Sequence, residues 1–219
     1  MTNGLVDSAA QPSAPDDKRI YGVSVAEVLE NCDLSNQGRV KVRLPWLPGY
    51  EPWARVAAPM AGMKSGAYFM PQPGDEVLVA FNHGDVRDVF VIGSMWNGRN
   101  KTPVNQSTDA RSKWVLRTPV GHELVFDDTA MSITITTPSG PHVKLTKDGI
   151  DIAMAKDKKT SLTFDLSGNV TLKASSSITL DAPTINVTAS QNLALGGESS
   201  ARIDGGGQCT ITATRIDIG

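Results

Sequence analysis

Positive charge, cysteine and aromatic residues are all scarce in this sequence of 219 residues. Its formal net charge is -2, so no excess of Lys and Arg favours binding to nucleic acid. Its two cysteines, Cys32 and Cys209, lie far apart and provide no disulfide framework, which is typical of a reducing compartment. Its three histidines are too scattered to predict a metal site. These absences disfavour a nucleic-acid-binding protein, a disulfide-rich secreted fold and a metalloprotein.

Long apolar runs are also missing. No stretch approaches the roughly 18 consecutive apolar residues that a membrane-spanning helix needs, and the first twenty residues, MTNGLVDSAAQPSAPDDKRI, contain no apolar segment of signal-peptide length. We therefore expect synthesis in the cytoplasm without a signal peptide, so that any export uses another route. Residues 1–19 are polar and rich in Ala, Ser, Asp and Pro, which predicts a flexible N-terminal arm.

Residues 20–98 contain five segments in which apolar residues alternate with polar ones. These segments are IYGVSVAEVLEN, GRVKVRLP, WARVAAP, DEVLVAF and DVFVIGSMW, and turn-forming residues such as QPGD and NHGD separate them. Alternation with a period of two predicts β-strands, although SVAEVLEN alone is also compatible with a helix. Five short antiparallel strands in this length predict a small closed barrel of the OB type.

The C-terminal half has a different pattern. Residues 99–111 are polar without periodicity and predict a linker, whereas residues 112–219 are rich in Thr, Ser, Gly and Asp. Short apolar–polar–apolar segments recur there, and from Leu162 onward they begin close to eight residues apart. A period this short predicts a stacked, one-dimensional all-β architecture, with TTPSGP and AKDKK as loop insertions at its corners. The segments begin at Ile133, Val143, Ile150, Leu162, Val170, Ile178, Ile185, Leu193, Ala201, Cys209 and Ile216.

Strands of about four residues cannot bury an apolar face by themselves. One solution is a single-chain solenoid with several strands per coil, which needs caps on its first and last rungs. The other is a triple-stranded β-helix, in which three copies wind together and each strand pairs with strands of the neighbouring chains. The small, monotonous apolar pairs favour the three-chain solution. The predicted trimer core is Leu162, Val170, Leu172, Ile178, Leu180, Ile185, Val187, Leu193, Leu195, Ile203, Cys209 and Ile211.

Several segments resemble a known family. WARV at 53–56, MPQPGDEVLVAF at 70–81, GDVRDVFVIG at 84–93 and MWNG at 95–98 are similar to the OB-fold domain of contractile injection system spikes. These spikes are the baseplate assembly protein V of contractile-tailed phages and the VgrG proteins of type VI secretion. The repetitive GNVTLKASSSITLDAPTINVTAS resembles the triple-stranded β-helix of the same family, so the resemblance covers residues 20–219.

The resemblance implies a homotrimeric spike, or puncturing needle, that pierces a target envelope when a sheath contracts and touches the membrane only transiently. It implies a phage tail or injection particle in which the spike docks a separate hub protein and a PAAR-repeat tip protein, with an effector as a further cargo. The chain lacks a terminal His-x-His motif, so we expect a blunt end at which Ile216, Ile218 and Gly219 contact the tip protein. Phage tails, type VI systems and extracellular injection particles are not distinguished.

Catalytic and cofactor sites are not predicted. Adjacent carboxylates such as Asp127 and Asp128 point apart on a strand or loop, and no nucleophile or histidine stands beside them at a readable spacing. GGGQC and GGESS lack the lysine and the following helix of a phosphate-binding loop, which favours corner glycines. We therefore predict a protein that is not an enzyme and has no cofactor.

A second hypothesis gives the OB domain a binding role. OB barrels bind oligosaccharides and single-stranded nucleic acids, in which aromatic side chains stack on sugars or bases. Trp53, Trp96 and Tyr68 are the candidate stacking groups in that case, with the C-terminal half as a trimeric stalk. Structural packing is the competing role for these three aromatic residues.

Overall fold

The computed structural model describes residues 19–104, 106–155 and 157–216, and within them the regular secondary structure is almost entirely β. The predicted flexible arm, apart from Arg19, lies outside the described residues. No helix among the described residues has the length and apolar character to cross a membrane. The N-terminal strands are β1 Val23–Glu30, β2 Arg39–Arg43, β3 Trp53–Val56, β4 Ala61–Gly62, β5 Ser65–Gly66, β6 Glu76–Asn82 and β7 Asp85–Met95.

Five of these strands close into a barrel in the order β1-β2-β3-β7-β6. Neighbouring strands are antiparallel except β3 and β7, which run parallel. This confirms the predicted OB-like barrel and its five strands, and the helical interpretation of SVAEVLEN was wrong. The short β4–β5 hairpin, which the sequence pattern did not predict, lies in the connection between β3 and β6.

The barrel interior is filled by small, mostly β-branched side chains. In β1 the inward residues Ala26 and Val28 are each 1% exposed, while Val23 and Val25 point outward. Branched side chains suit a strand because they pack well on a pleated surface. The buried cluster consists of Ala26, Val28, Val40, Val42, Leu44, Ala54, Val77, Val79, Phe81, Val89 and Val91.

The connection between β1 and β2 is organised around one carboxylate. Asp33 accepts hydrogen bonds from the backbone N–H groups of Ser35, Gln37 and Arg39, and from the Ser35 hydroxyl at 2.6 Å. The Arg39 guanidinium adds a two-point ion pair through Nε at 3.1 Å and Nη2 at 3.0 Å. These bonds from Arg39 and Ser35 stabilise the charged form and hold the pKa of Asp33 well below its usual range.

The second part of the chain begins with a 3₁₀ helix at Ser107–Arg111 inside the predicted linker. It continues as a seven-stranded antiparallel sheet in simple sequence order. The sequence pattern predicted the last five of these strands but missed β8 and β9, in which Val115 and Val125 stand where the later strands have a polar residue. The strands are β8 Lys113–Arg117, β9 Glu123–Asp127, β10 Ser132–Thr136, β11 His142–Thr146, β12 Gly149–Ala153, β13 Ser161–Asp165 and β14 Val170–Lys173.

The pairing of these strands differs from the expectation that each strand pairs with neighbouring chains. All seven strands pair within one chain, from β8 with β9 to β13 with β14. TTPSGP and AKDKK are therefore hairpin turns and not insertions at the corners of a coil. The physical reason is local: a turn that reverses the chain returns it to its own preceding strand.

Every one of the six reversals between β8 and β14 has a residue with positive φ, either within the turn or, for Gly149, at the first position of the strand that follows. Such a conformation is disfavoured for residues with a Cβ atom and is reached most easily by glycine. Gly149 is the most constrained, because at its φ of +145° an added Cβ would lie 1.9 Å from the backbone oxygen of Phe164. The six residues, in chain order, are Gly121, Met131, Gly140, Gly149, Lys158 and Gly168.

Residues 174–216 contain no strand in the described chain. The segments predicted to begin at Ile178, Ile185, Leu193, Ala201, Cys209 and Ile216 therefore have no strand partner within their own chain. After Gly168 only Gly206 has a positive φ among the described residues, at +59°. The sequence alternation thus persists past Lys173, whereas the hairpin turns that allow a chain to pair with itself do not.

A substitution at Asp33 tests the first connection. Asp33→Asn should lower the urea midpoint at pH 7, because the amide cannot replace the ion pair with Arg39. The depressed pKa stabilises the fold fully above the unfolded value of about 4, and this contribution is lost as the pH falls further. The difference in urea midpoint between wild type and Asp33→Asn should therefore become smaller between pH 4 and pH 2.5. Asp148→Asn, at a side chain 69% exposed, is the control and should leave the midpoint unchanged at pH 7. A midpoint difference for Asp33→Asn that stays constant with pH would contradict the stabilising role of the charged Asp33 carboxylate.

Gly149→Ala tests the hairpin geometry. The added methyl group would overlap the Phe164 carbonyl, so the loss of stability should exceed the roughly 1 kcal/mol that positive φ alone costs. The control is Gly168→Ala, at φ +82° with no atom within 4 Å of the added Cβ, which should cost only about that amount. Urea unfolding of both variants compares the two, and equal losses would show that the Gly149 contact is relieved without cost.

Candidate functional site: an uncovered apolar sheet face

One side of the seven-stranded sheet carries two unbroken rows of apolar side chains. Residues directly opposite each other on paired strands share a face, as do residues two apart in one strand. The first row is Trp114, Phe126, Ile133, Leu145, Ile150, Phe164 and Val170. The second row is Leu116, Leu124, Ile135, Val143, Ile152, Leu162 and Leu172. We call these fourteen side chains the apolar face.

The described part of the chain does not cover the apolar face. None of its members is buried, and eleven of them are 38–62% exposed, from Ile133 and Phe164 at the lower end to Val170 at the upper end. Monomeric proteins rarely leave so large a contiguous apolar surface in water, and such surfaces mark interaction sites. The sheet is thus built as one wall of a larger core.

The opposite side of the sheet is predominantly polar. Lys113 lies 3.8 Å from Asp127 and 3.2 Å from Asp109, and Arg117 makes an ion pair with Glu123. In each strand, one residue lies between the two members of the apolar face and points to this opposite side. These middle residues pair across the sheet and form a central row. Its members are Val115, Val125, Thr134, Lys144, Asp151, Thr163 and Thr171. This polarity indicates that one side faces water and the other faces a partner.

The predicted trimer core falls in two places. Leu162, Val170 and Leu172 belong to the apolar face, and the other nine residues follow it in the extended segment 174–216. Those nine are all exposed in the single chain, for example Ile178 at 52% and Leu195 at 79%. Their burial between chains stays a prediction. The core prediction left out the other eleven members of the apolar face. The alternation from Ile133 onward could have revealed seven of them, whereas the unbroken apolar runs at 114–116 and 124–126 do not alternate.

The predicted tip contact is only partly described. Ile216 is 55% exposed, whereas Ile218 and Gly219 lie outside the described residues. Cys209, expected near a three-fold axis, is a free and exposed thiol in the single chain.

The three candidate stacking groups of the barrel lie on separate segments. Trp53 is in β3, where the Arg39 guanidinium lies 5.8 Å from its ring centre. Tyr68, 77% exposed, follows β5, and Trp96, 65% exposed, follows β7. The ring–ring contact found in the described chain joins two other residues, Trp46 and Phe81, at 6.1 Å. Among the described residues no ring–ring contact joins Trp53, Trp96 and Tyr68.

The titratable side chains of the described residues form small ion-pair groups of two to four members. In the described ranges no three or more His, Cys, Asp or Glu side chains are grouped so that they could hold a metal ion. His142 illustrates the pattern, because its Nε2 lies 3.9 Å from Asp151 while Lys158 also contacts that carboxylate. Asp127 and Asp128 take part in structural contacts, with Lys113 and with the backbone of Ser112 respectively.

Two family models match this chain in the order of its two β regions. Residues 24–96 match the type VI secretion system and phage-baseplate injector OB domain, which corresponds to the barrel. Residues 113–195 match the phage baseplate V C-terminal trimerisation domain, which contains the apolar face. Together the matches cover more than two thirds of the sequence.

Curated relatives agree with these matches. The type VI secretion system spike protein VgrG3 of Vibrio cholerae serotype O1 is 36% identical over 113 residues, which are 46% of this chain and 11% of that protein. The actin cross-linking toxin VgrG1 of the same species is 31% identical over 131 residues, 55% of this chain and 12% of the relative. The spike protein VgrG5 of Pseudomonas aeruginosa is 32% identical over 95 residues, 39% and 12% of the two chains.

This chain spans about a tenth of the length of these relatives. The barrel, the trimerisation domain and these relatives together place the chain in the phage baseplate V family of VgrG-like spike proteins.

Proposed function

We propose that three copies of this chain form the spike of a contractile injection system, with residues 112–219 as the needle. The observation that carries this proposal is the apolar face, which a single chain leaves open and which coincides with the matched trimerisation domain. The protein then acts mechanically, and the force comes from a contracting sheath. The relatives named as spike proteins support a structural role over a catalytic one.

Three sheets with one apolar side each suit a triangular prism. Each sheet contributes fourteen side chains that face the other two copies, and lateral edges can pair with neighbouring chains. Since most of these side chains are about half exposed, their complete burial contributes on the order of 1 kcal/mol each. The total across three chains is large beside the usual net stability of about 5–15 kcal/mol. Association and folding of this region are therefore expected to be coupled.

The geometry also suits a stiff, narrow rod. If the strands lie across the rod axis, seven strands spaced by about 4.8 Å extend it by roughly 30 Å, and the segment that follows lengthens it further. A dry, closely packed interior resists bending because its side chains have little free volume. Stiffness and a small cross-section are the properties that a puncturing needle needs.

The partners and boundaries of this spike are part of the same proposal. We assign residues 20–98 to the OB domain, 99–111 to a linker and 112–219 to the needle, inside an assembled injection particle or phage tail. A separate hub protein docks above the needle, and a PAAR-repeat tip protein contacts the region of Ile216, Ile218 and Gly219. The support here is the family relationship together with the exposure of Ile216. An effector carried by the tip is the proposed cargo.

The assembly state tests the proposal directly. Light scattering coupled to size exclusion should give about 70 kDa for the full chain, three times the protomer mass of 23.3 kDa. Coupled burial of the apolar face is the reason to expect a single species down to low concentrations. A monodisperse monomer with native β content would contradict the proposal.

Neighbouring substitutions on opposite sides of one strand test which face binds. Ile135→Asp places a charge in the second apolar row between Leu124 and Val143, so it should abolish the trimer and lower the measured mass. Thr134→Asp is the matched control on the polar side, opposite Lys144, and should leave the mass at the trimer value. A trimer that tolerates Ile135→Asp but not Thr134→Asp would show that the opposite face forms the interface.

A further inference from the structure

The last strand of the sheet has one unpaired edge. β14 pairs with β13 through Leu162 with Leu172 and Phe164 with Val170. On its other side no strand follows in the described chain, so half of its backbone N–H and C=O groups lack a ladder partner. An edge of this kind is a template on which another extended segment can pair.

The chain does not fold back onto this edge because the required turn is missing. The four residues 166–169, LSGN, reverse the chain into β14 with Gly168 at φ +82° and with Asp165 accepting hydrogen bonds from the backbone of Ser167 and Asn169. The four residues 174–177, ASSS, have the same length but contain no glycine and no positive φ. Length therefore does not prevent a hairpin here; the turn chemistry does.

A local contact also distinguishes the connection after β14, residues 174–177, from the connection before it. The backbone N–H of Ser175 donates to the Thr160 hydroxyl at 3.4 Å, and the two side-chain hydroxyl groups lie 3.3 Å apart. Thr160 immediately precedes β13, the strand before β14. The chain that leaves β14 is thus held beside β13 and does not turn toward the free edge.

The sequence pattern of the sheet nevertheless continues. Ile178, Thr179 and Leu180 repeat the apolar–polar–apolar order of Val170, Thr171 and Leu172 after eight residues. Ile178 and Leu180 are 52% and 67% exposed, so nothing in their own chain covers them.

The central row of the sheet supplies the register. In all six strand pairs a central residue lies directly opposite the central residue of the next strand, ending with Thr163 opposite Thr171. Thr179 is the next residue of this type along the chain. A shift of one residue would turn Ile178 and Leu180 to the polar side, so burial favours Thr179 opposite Thr171.

We propose that the free edge of β14 binds residues 178–180 of a second copy of this chain, with Thr179 opposite Thr171. Pairing within the chain therefore ends at β14, and pairing between chains begins there. The two apolar rows then continue without a break from Val170 and Leu172 of one copy to the apolar pair of its neighbour. This inference rests on the proposed trimer and adds the place and the register at which the copies interlock.

Engineered disulfides test the partner. Thr171→Cys with Thr179→Cys, in the full-length chain with Cys32→Ser, places both thiols on the polar side, at positions outside the apolar rows. Paired strand residues satisfy the roughly 4.4–6.8 Å Cα separation that a disulfide needs. Around a three-fold axis each chain is linked to both neighbours, so mild oxidation should give a covalent trimer on a denaturing gel, and reductant should return it to the protomer.

A second cysteine pair gives the matched control. Thr163→Cys with Thr171→Cys joins residues that are opposite each other within one chain, so its disulfide should leave the protomer mass unchanged. The parent with Cys32→Ser, and each single variant, should form no covalent trimer. Cys209 is present in every variant and in the parent, so any crosslink through Cys209 appears in all lanes and can be recognised.

The results separate this inference from the proposed function. The reduced double variant could be a monomer in light scattering while the parent is a trimer. The cysteine substitutions have then blocked assembly, and hydrogen–deuterium exchange of the parent tests instead whether residues 178–180 are paired. Backbone amides of residues 170–180 should be protected in the parent trimer, and fast exchange at 178–180 would overturn the inference. If the parent itself is a monomer, the proposed function fails as well.

If the reduced double variant is still a trimer, the denaturing gel shows whether its disulfides join different copies. A covalent trimer supports pairing between copies. A disulfide confined to one chain, or none while Thr163→Cys with Thr171→Cys links efficiently, overturns the proposal and leaves the trimeric spike standing.

Discussion

The C-terminal half of this protein depends on one constraint: a sheet with an apolar side must cover that side. Fourteen side chains form two rows on the seven-stranded sheet, and the described residues of the chain leave all of them at least partly exposed. The hydrophobic effect then drives association in place of further folding. The barrel does not share this constraint, because its closed strands enclose their own core of Val, Ala, Leu and Phe side chains. One chain therefore combines a self-sufficient domain with a domain that is completed by its copies.

Turn chemistry divides the C-terminal half into two kinds of structure that share one sequence period. Up to β14 each connection contains a residue of positive φ and reverses the chain, so a meander forms without help from a second chain. After Lys173 the apolar alternation continues but the reversing turns stop, and the described chain has no further strands. A meander that forms locally can present its apolar face before the rest of the needle orders, since local contacts form faster than distant ones.

Much of this organisation could be predicted from the sequence. Alternation in VSVAEVLE and VLVAF indicated barrel strands, and the barrel confirmed the strands, although some of their outward residues, such as Val25, are apolar as well. Whether Leu162 and Leu172 meet within one chain or between chains could not be predicted from spacing, because both arrangements need the same period of two within a strand. The decisive signals were single residues such as Gly149 and Gly168, whose backbone conformations permit reversal. β8 and β9 were missed because Val115 and Val125 interrupt the apolar–polar–apolar alternation that marks the later strands.

The solvent exposure of the apolar face in the assembled protein tests the central claim most directly. Hydroxyl-radical footprinting read by mass spectrometry compares Trp114 and Phe126 on this face with Trp96 and Tyr68 on the barrel, all exposed in the single chain. We expect strong protection of Trp114 and Phe126 in the native protein, lost in denaturant, while Trp96 and Tyr68 are less protected. Modification of Trp114 and Phe126 as fast as that of Trp96 and Tyr68 in the native protein would contradict it.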